Sequence, residues 1–311
     1  MNILFWMDSI ESINPKKDTT YLLIHECFKQ NMTPYFINSI GMEIGKLIIE
    51  ANEFIPFEIG NSLEINPQKL NFTQKDISAI WLRKDPPVNS DYVRELLLLN
   101  QFNQEIKLIN SPTGILMNNE KLAATQFKSI TPKTLISQSK KQIKDFININ
   151  KNSMIKPLDS YGGNGIFKVS DSEANLDTII EVSTKNETEQ IICQQMVNYT
   201  LGDKRILLLN GEAIGAVKRI NHNGHRNNFM AGGIAEKSMV SENDNKIVQL
   251  IKPFIQKNNL FFVGIDIIDN HLIEINVTSP TGLQEINYFG KIQLQQKIIA
   301  EMIKMIEKTN V

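Results

Sequence analysis

The stretch FFVGIDIIDNHLIEINVTSPTGLQE, residues 261–285, decides how we interpret this chain. Its pattern predicts two apolar strands separated by Asp269-Asn270, a typical turn pair. Three oxygen-bearing side chains interrupt these strands: Asp266, Glu274 and Asn276. Because an isolated buried carboxylate is costly, carboxylates within apolar strands usually face a cation. Two acids and an amide are hard oxygen ligands, so the stretch predicts a site for Mg²⁺.

This prediction depends on the register of the hairpin. Glu274 and Asn276 lie two residues apart and therefore share a face of their strand. Asp266 joins that face only if the loop has an odd number of residues, as a three-residue loop with a bulge would have. A two-residue turn would pair Asp266 with Ile273, and we expect that register to break the site. The alternative is that these polar residues lie at strand ends in water, and the stretch alone does not decide between the two.

Length and composition limit the possible functions. The chain has 311 residues, enough for two or three domains, and its 33 basic and 34 acidic residues argue against a general nucleic-acid-binding surface. No apolar run approaches the roughly 18 residues of a transmembrane helix, so no membrane association is expected. Neither a signal peptide nor a disulfide framework is indicated, since Cys27 and Cys193 lie far apart. We therefore expect a cytoplasmic protein.

The N-terminal part predicts a parallel α/β unit. Residues 2–7 form a candidate strand, Asp18 begins a helix that runs to about Gln30, and residues 33–37 form the next strand. Ligands of such sheets bind beyond the carboxyl ends of strands. The predicted site residues there are Asp8, Ser9 and Lys17. Residues 40–75 indicate no more than a hairpin of mixed periodicity.

A second strand end carries charge. Residues 77–82 predict a strand that ends in Arg83-Lys84-Asp85-Pro86-Pro87. Two cations made rigid by prolines predict a site for an anionic group, and the alternative is a surface turn with an internal ion pair. A helix over residues 90–102 and a short strand over 107–110 follow.

From about residue 124 the pattern changes to α+β. A strand that contains Lys156 leads into the glycine-rich loop at 159–165 and then into another strand. Glycines let backbone N–H groups approach phosphates, and a neighbouring lysine supplies charge. The loop matches neither the Walker A motif nor G-x-G-x-x-G. Together Lys156, Gly162 and Gly163 predict a phosphate-binding hairpin.

The C-terminal part predicts more strands and two helices. A strand over 189–197 precedes Gly202-Asp203-Lys204-Arg205, and Asn210-Gly211 joins two further strands in a predicted hairpin. Residues 221–233 form a polar loop, and the helices span 241–258 and about 288–307. Arginine is rare in this lysine-rich chain, and four of the five arginines lie beside the motifs described here. Arginines in such places suit planar, bidentate recognition of anions.

The order of these motifs resembles the ATP-grasp superfamily and, nearly end to end, the bacterial glutathione synthetase family. The matching segments are MDSIESINPKKDTT, LRKDPP, NEKL, KPLDSYGG, GDKR, R-x-N-x-x-x-G-G, VGIDII and IEINVTSPTG. LRKDPP together with EINVTSPTG is highly specific, because other ATP-grasp ligases share the Asp, Glu and Asn but not their flanks. The resemblance implies an α/β and α+β chain with the ATP-grasp fold and a Rossmann-like (pre-ATP-grasp) N-terminal domain. The implied domains are residues 1–122, an ATP-grasp lid at 123–198 and a catalytic part at 199–311.

The resemblance also implies an activity. It is the ATP-dependent ligation of γ-L-glutamyl-L-cysteine to glycine through an acyl phosphate, with release of glutathione, ADP and phosphate. Two Mg²⁺ or Mn²⁺ ions and a homotetramer are expected with it. It implies metal ligands at Asp266, Glu274 and Asn276. It implies nucleotide contacts at Lys121, Lys156, Gly162, Gly163, Gln194, Gln195, Met196, Val197 and Asp203. Arginines that meet the acyl phosphate and substrate are implied at Arg205, Arg219 and Arg226. Substrate contacts are implied at Asp8, Ser9, Lys17, Arg83, Lys84, Asn228, Gly232, Gly233, Thr278 and Ser279.

Two departures from the family pattern concern the substrate end. The family usually has an acid before the loop arginine, where this chain has His225, and Arg-Glu after SPTG, where this chain has Gln284-Glu285. These changes leave open a ligase for a different peptide acid or amine. A third hypothesis is an ATP-binding module without catalysis, although Lys156, Glu274 and Asn276 are all present.

Overall fold

Three β-sheets organise the computed structural model, which describes residues 1–159, 162–222, 224, 227–229 and 232–308. Each sheet is built from a separate stretch of the chain. The predicted mixture of α/β and α+β structure is confirmed. No helix in the described residues is long and apolar enough to cross a bilayer.

The first sheet has six strands in the order β4-β3-β2-β1-β5-β6. These strands are β1 (Asn2–Trp6), β2 (Thr33–Glu43), β3 (Lys46–Phe54), β4 (Ile65–Phe72), β5 (Ala79–Leu82) and β6 (Lys107–Ile109). β1 pairs in parallel with β2 and β5, and β5 with β6, as the Rossmann-like pattern predicts. The poorly patterned residues 40–75 extend this sheet by antiparallel pairing of β2, β3 and β4.

Two helices connect parallel strands of the first sheet: α1 (Thr19–Lys29) follows β1, and α2 (Ser90–Asn100) follows β5. Two short helices, α3 (Pro112–Leu116) and α4 (Glu120–Thr125), follow β6 and lead to the second sheet. The side chain of Asp18 caps α1 by accepting a hydrogen bond from the Tyr21 N–H at 2.8 Å. This cap satisfies one of the N–H groups that a helix start leaves without a partner. The predicted start of α1 is therefore confirmed.

The second sheet has four strands in the order β7-β10-β8-β9, all antiparallel. They are β7 (Thr134–Ser137), β8 (Asn152–Pro157), β9 (Phe167–Ser170) and β10 (Ile191–Gln195), with α5 (Lys140–Asn150) and α6 (Leu176–Ser183). This unit has its own apolar core, formed by residues such as Ile143, Ile155, Ile180 and Cys193.

The third sheet has five antiparallel strands in the order β13-β12-β11-β14-β15. They are β11 (Asp203–Leu209), β12 (Glu212–Ile220), β13 (Ile234–Lys237), β14 (Phe262–Ile268) and β15 (His271–Asn276). Its helices are α7 (Glu242–Lys257), α8 (Leu283–Gly290) and α9 (Leu294–Glu307). The continuous helix predicted over 288–307 is wrong. Lys291 has φ 51° and ends α8, because a left-handed residue cannot continue a right-handed helix.

The first and third sheets share one apolar core. Ile3 and Phe5 of β1 and Tyr21 of α1 belong to the same buried cluster as Ile298 and Met302 of α9. The chain therefore returns at its end to the N-terminal sheet, whereas the second sheet is packed around a core of its own. This arrangement fixes the β14–β15 hairpin relative to the N-terminal strand ends.

Candidate active site

The β14–β15 hairpin has the pairing that the metal-site prediction requires. Asp266 lies directly opposite Glu274, and Gly264 lies opposite Asn276. The expected loop, however, is wrong. Asp269 and Asn270 form a two-residue turn with φ 49° and 60°, as in a type I′ turn. The register shifts between Asp266 and Ile267, so a bulge at Ile273 corrects the pairing inside the ladder.

Two arginines surround the Asp266 carboxylate. Arg205, directly across the sheet on β11, donates Nε and Nη2 to the two Asp266 oxygens at 2.5 and 2.8 Å. Arg219 Nη2 lies 3.0 Å from the same carboxylate and 2.5 Å from Asp203 Oδ2. Burial alone would raise the pKa of Asp266, but the two guanidinium groups hold it well below its usual range. Burial raises the pKa of Asp203 to about 6, although Arg219 opposes that shift.

Gly264 makes room for this arrangement. A Cβ at residue 264 would lie 2.9 Å from Pro280 Cβ and 3.2 Å from Arg205 Cδ. Such distances leave no space for a side chain without movement of Arg205 or of the loop at Pro280. The glycine of the VGIDII segment therefore lets Arg205 lie flat across β14 and reach Asp266.

The second sheet brings lysine to the opposite side of the same cleft. Lys156 Nζ donates to Gln194 Oε1 at 2.8 Å, and Gln194 Nε2 donates to Thr134 Oγ1 at 2.9 Å. Burial lowers the pKa of Lys156 to about 8, although Glu274 opposes that shift. Lys121 Nζ lies 3.4 Å from Glu274 Oε1. Each predicted phosphate lysine thus faces the predicted metal ligands.

The loop Thr278–Gly282 is held by four charged residues from three parts of the chain. Glu120 accepts hydrogen bonds from the Thr278 N–H and hydroxyl at 3.1 and 2.9 Å. Asp85 accepts from the Ser279 hydroxyl. Arg83 Nη2 donates to Pro280 O at 3.1 Å and Arg205 Nη1 donates to Thr281 O at 3.3 Å. These contacts explain why the TSPTG segment accompanies LRKDPP and NEKL in one chain.

Asn110 ties the hairpin to the first sheet. Its Nδ2 donates to Phe262 O and Val277 O, both at 2.8 Å, and its Oδ1 accepts from Phe262 N at 2.8 Å. The residue is buried, and its side-chain amide makes these three hydrogen bonds to the ends of the two strands. Sequence reasoning did not identify Asn110, since an asparagine after a short strand usually indicates a turn.

Most of the predicted site residues line one cleft of about 250 Å³. Those that line it are Lys121, Lys156, Gly162, Gly163, Gln194, Gln195, Met196, Val197, Asp203, Arg205, Arg219, Asn228, Asp266, Glu274, Asn276, Thr278 and Ser279. The cleft is also lined by residues that the sequence did not predict for the site: Pro86, Glu120, Met154, Ile166, Tyr199, Asn227, Phe229, Ile268, Ile273 and Thr281. Asp85 lines it as well, although the sequence predicted it only as part of a charged turn. Met154, Ile268 and Ile273 lie on strands, where the sequence pattern does not distinguish a cleft residue from a core residue.

Other predicted substrate residues lie outside the cleft lining. Arg83 is buried and donates to Thr20 and Pro280. Lys84 pairs with Glu95 at 3.3 Å and lies over the Trp6 ring. Asp8 accepts a hydrogen bond from the Asp85 N–H at 2.8 Å, whereas Ser9 and Lys17 are in the loop between β1 and α1. Gly232 and Gly233 precede β13. Arg226 and His225 lie outside the described residues.

The donor set at the hairpin fits a hard divalent cation. Asp266 and Glu274 present carboxylates side by side, and Asn276 Nδ2 lies 3.4 Å from Asp266 Oδ2. Among the described residues no group of three or more His, Cys, Asp or Glu side chains is arranged for a metal. The hairpin offers two carboxylates and an amide instead, which leaves coordination positions for water and phosphate oxygens.

Comparison with known proteins identifies related chains. Residues 1–115 match the family model of the prokaryotic glutathione synthetase N-terminal domain, and residues 120–291 match that of its ATP-grasp domain. A glutathione synthetase of Thermosynechococcus vestitus is 35% identical, over 96% of this chain and 99% of its own. A glutathione synthetase of Buchnera aphidicola subsp. Baizongia pistaciae is also 35% identical, over 99% of this chain and 97% of its own.

Solved structures share the fold. The D-cycloserine synthetase DcsG superposes with a TM-score of 0.68 over 98% of this chain and 99% of its own, at 12% identity. The macrocyclase MdnC of Microcystis aeruginosa MRC, bound to a precursor peptide, superposes with a TM-score of 0.63 over 98% of this chain and 100% of its own, at 14% identity. At such identities the likeness concerns the fold alone.

Proposed function

The chain belongs to the prokaryotic glutathione synthetase family, and from that premise we propose how its cleft joins γ-glutamylcysteine to glycine. It is an ATP-dependent C–N ligase that produces glutathione. The observation that carries the residue assignment is the β14–β15 register. That register places Asp266 beside Glu274 in a cleft that also contains Lys121, Lys156 and two arginines.

The first step transfers the γ-phosphoryl group of ATP to the peptide carboxylate, which yields an acyl phosphate and ADP. Lys121 and Lys156 bind the phosphates, and the strand end Gln194–Val197 accommodates the adenine. Asp266, Glu274 and Asn276 hold two Mg²⁺ or Mn²⁺ ions. Bound there, divalent ions neutralise phosphate charge. The support for these roles is that all of these side chains line the same cleft.

In the second step the amine of glycine attacks the acyl carbon, and phosphate leaves from the tetrahedral intermediate. The oxyanion of that intermediate requires a preorganised cationic donor. Arg205 and Arg219 are buried and fixed by Asp266 and Asp203, so their guanidinium groups are oriented before substrate arrives. We assign Arg226 to the same role from its motif, together with Asn228.

Water must be excluded because acyl phosphates hydrolyse. We propose that the unit at 123–198 closes over the cleft as a lid between domains 1–122 and 199–311. The loops at 159–165 and 220–233, which the sequence suggested as further lids, lie partly outside the described residues. The separate core of the second sheet supports this division, since that unit is packed on its own.

The Gln284 departure does not favour a different acceptor. Gln284 Nε2 donates to Pro15 O and Asp18 O at 3.0 and 2.7 Å, and the residue does not line the cleft. It therefore holds the β1–α1 loop against α8. A homotetramer in the cytoplasm remains our proposal from the family resemblance.

The test is phosphate release from ATP by the purified protein with Mg²⁺ and γ-glutamylcysteine, with and without glycine. We expect rapid release that needs both substrates, with glutathione identified by mass spectrometry. Turnover that ignores glycine but responds to another amine would overturn the assigned acceptor.

A further inference from the structure

The carboxylates of the cleft differ in how they are neutralised. Five carboxylates of described residues line it, and four of them have strong partners. Asp266 and Asp203 pair with arginine, Glu274 pairs with Lys121, and Glu120 accepts three hydrogen bonds. The fifth is Asp85.

Asp85 has no basic group at its side chain. Among the described residues, no lysine or arginine nitrogen lies within 4.0 Å of it, and its carboxylate accepts one hydrogen bond, from the Ser279 hydroxyl. The residue is exposed and lines the cleft. A ligand in the cleft can therefore reach this carboxylate without displacing a cation.

The position of Asp85 is fixed from both sides. Its backbone N–H donates to Asp8 Oδ2 at 2.8 Å, and two prolines follow it in the chain. Proline restricts the preceding residue as well as its own φ. The carboxylate is thus held in one place, which is what recognition of a small charged group requires.

The local charge balance favours a cation. Arg83 interacts electrostatically with Asp85, but it is buried, donates to Thr20 and Pro280, and is shared with Asp18. Although the side chain opens to the cleft, desolvation by its walls raises the pKa of the Asp85 carboxyl; the Ser279 hydrogen bond and Arg83 oppose that shift, and Asp8 and Asp18 add to it. A positive ligand would relieve this repulsion.

We propose that Asp85, together with the Ser279 hydroxyl oxygen, binds the primary ammonium group of a substrate. The rest of the cleft is arranged for phosphates and carboxylates, whereas Asp85 offers the complementary charge. The ammonium donates to Asp85, and the Ser279 oxygen, whose proton already points to Asp85, accepts a second hydrogen bond from it. This inference rests on the proposed function, in which both the amine acceptor and the peptide acid carry such a group.

The decisive variant is Asp85→Asn, because the carboxamide keeps an acceptor for Ser279 and removes only the charge. Asp91→Asn is the matched control, since Asp91 is an exposed acid at the start of α2. Ser279→Ala keeps the charge and removes the hydroxyl. All three are assayed with glycine and, separately, with hydroxylamine, which is largely uncharged at neutral pH and traps the acyl phosphate.

We expect Asp85→Asn to lower kcat/KM for one substrate by about 10- to 100-fold, the usual effect of a lost charge-assisted hydrogen bond. If only the glycine value falls and hydroxamate formation persists, the bound group is the acceptor's ammonium. If the γ-glutamylcysteine value falls in both assays, it is the amino group of the peptide acid. Unchanged values, or equal loss for ATP and both substrates, would overturn the proposal.

The same experiment separates this inference from the proposed function. The wild-type protein tests whether glutathione is formed from these substrates at all. The ratio of Asp85→Asn to wild type tests the ammonium site. If Asp85 had a purely structural role, Ser279→Ala would lower kcat/KM for every substrate by the same factor as Asp85→Asn. That result would also refute the ammonium site.

Discussion

Asp266→Asn and Glu274→Gln are expected to abolish turnover equally but to differ in stability. Both variants remove a proposed metal ligand and keep the shape of the side chain. The Asp266 side chain is 7% exposed and binds two arginines, whereas the Glu274 side chain is 22% exposed and lies 3.4 Å from one lysine. The stability effects therefore follow from the partners that each substitution leaves behind.

The size of the stability loss in each variant follows from the partners of the replaced carboxylate. Asp266→Asn leaves Arg205 without its carboxylate and Arg219 with Asp203 alone, and breaking a buried ion pair costs about 3–5 kcal/mol. Glu274→Gln loses one long, partly exposed contact, worth about 0–1 kcal/mol. We expect the melting temperature to fall by about 6–15 °C for Asp266→Asn and by less than about 3 °C for Glu274→Gln.

The assay combines thermal unfolding followed by circular dichroism with Mg²⁺-dependent phosphate release. Equal melting temperatures for the two variants would refute the inferred arginine network around Asp266. A Glu274→Gln protein that retains Mg²⁺-dependent turnover would refute the metal assignment, whatever its stability.

Three other substitutions test further parts of the structure. Because the pKa of Lys156 is about 8, the affinity of the wild-type protein for MgATP should fall as pH rises above about 8. In calorimetric titrations, the affinity of Lys156→Arg for MgATP should depend less on pH. Asn110→Ala should lower the free energy of unfolding by about 3 kcal/mol, from three hydrogen bonds of about 1 kcal/mol each; a urea titration that shows less than about 1 kcal/mol would contradict the bridging role. Gln284→Arg, which restores the usual family residue, should leave the KM for glycine within about twofold, since Gln284 contacts Pro15 and Asp18 outside the cleft.

The lowered pKa of Lys156 also makes the free energy of unfolding depend on pH. Its pKa is lower in the folded protein than the usual lysine value, so the unfolded chain binds the extra proton between pH 8 and about 10.5. The free energy of unfolding contributed by this group therefore rises with pH through that window. The penalty for burying the charged lysine is fully present below pH 8.

Local patterns predicted much of the fold. The capped start of α1, the parallel β1–α1–β2 unit, the Asn210-Gly211 hairpin and the helix that begins after Ser241 depend on neighbouring residues. Such features follow from local hydrogen bonding and from periodicity. For residues 40–75 the sequence indicated a hairpin, but it gave neither the bounds of β3 and β4 nor their place in the first sheet. β4 is mostly exposed and therefore shows no clear alternation.

The sequence by itself determined the chemistry of the site, because the spacing of Asp266, Glu274 and Asn276 and the flanking motifs identify the residue types and their order. Only the tertiary structure decided which groups meet. The bulge at Ile273, the arginines on β11 and β12, and the bridge from Asn110 depend on contacts between segments far apart in the chain. Register and charge pairing across a sheet are set by packing on both of its faces. A linear pattern does not contain that information.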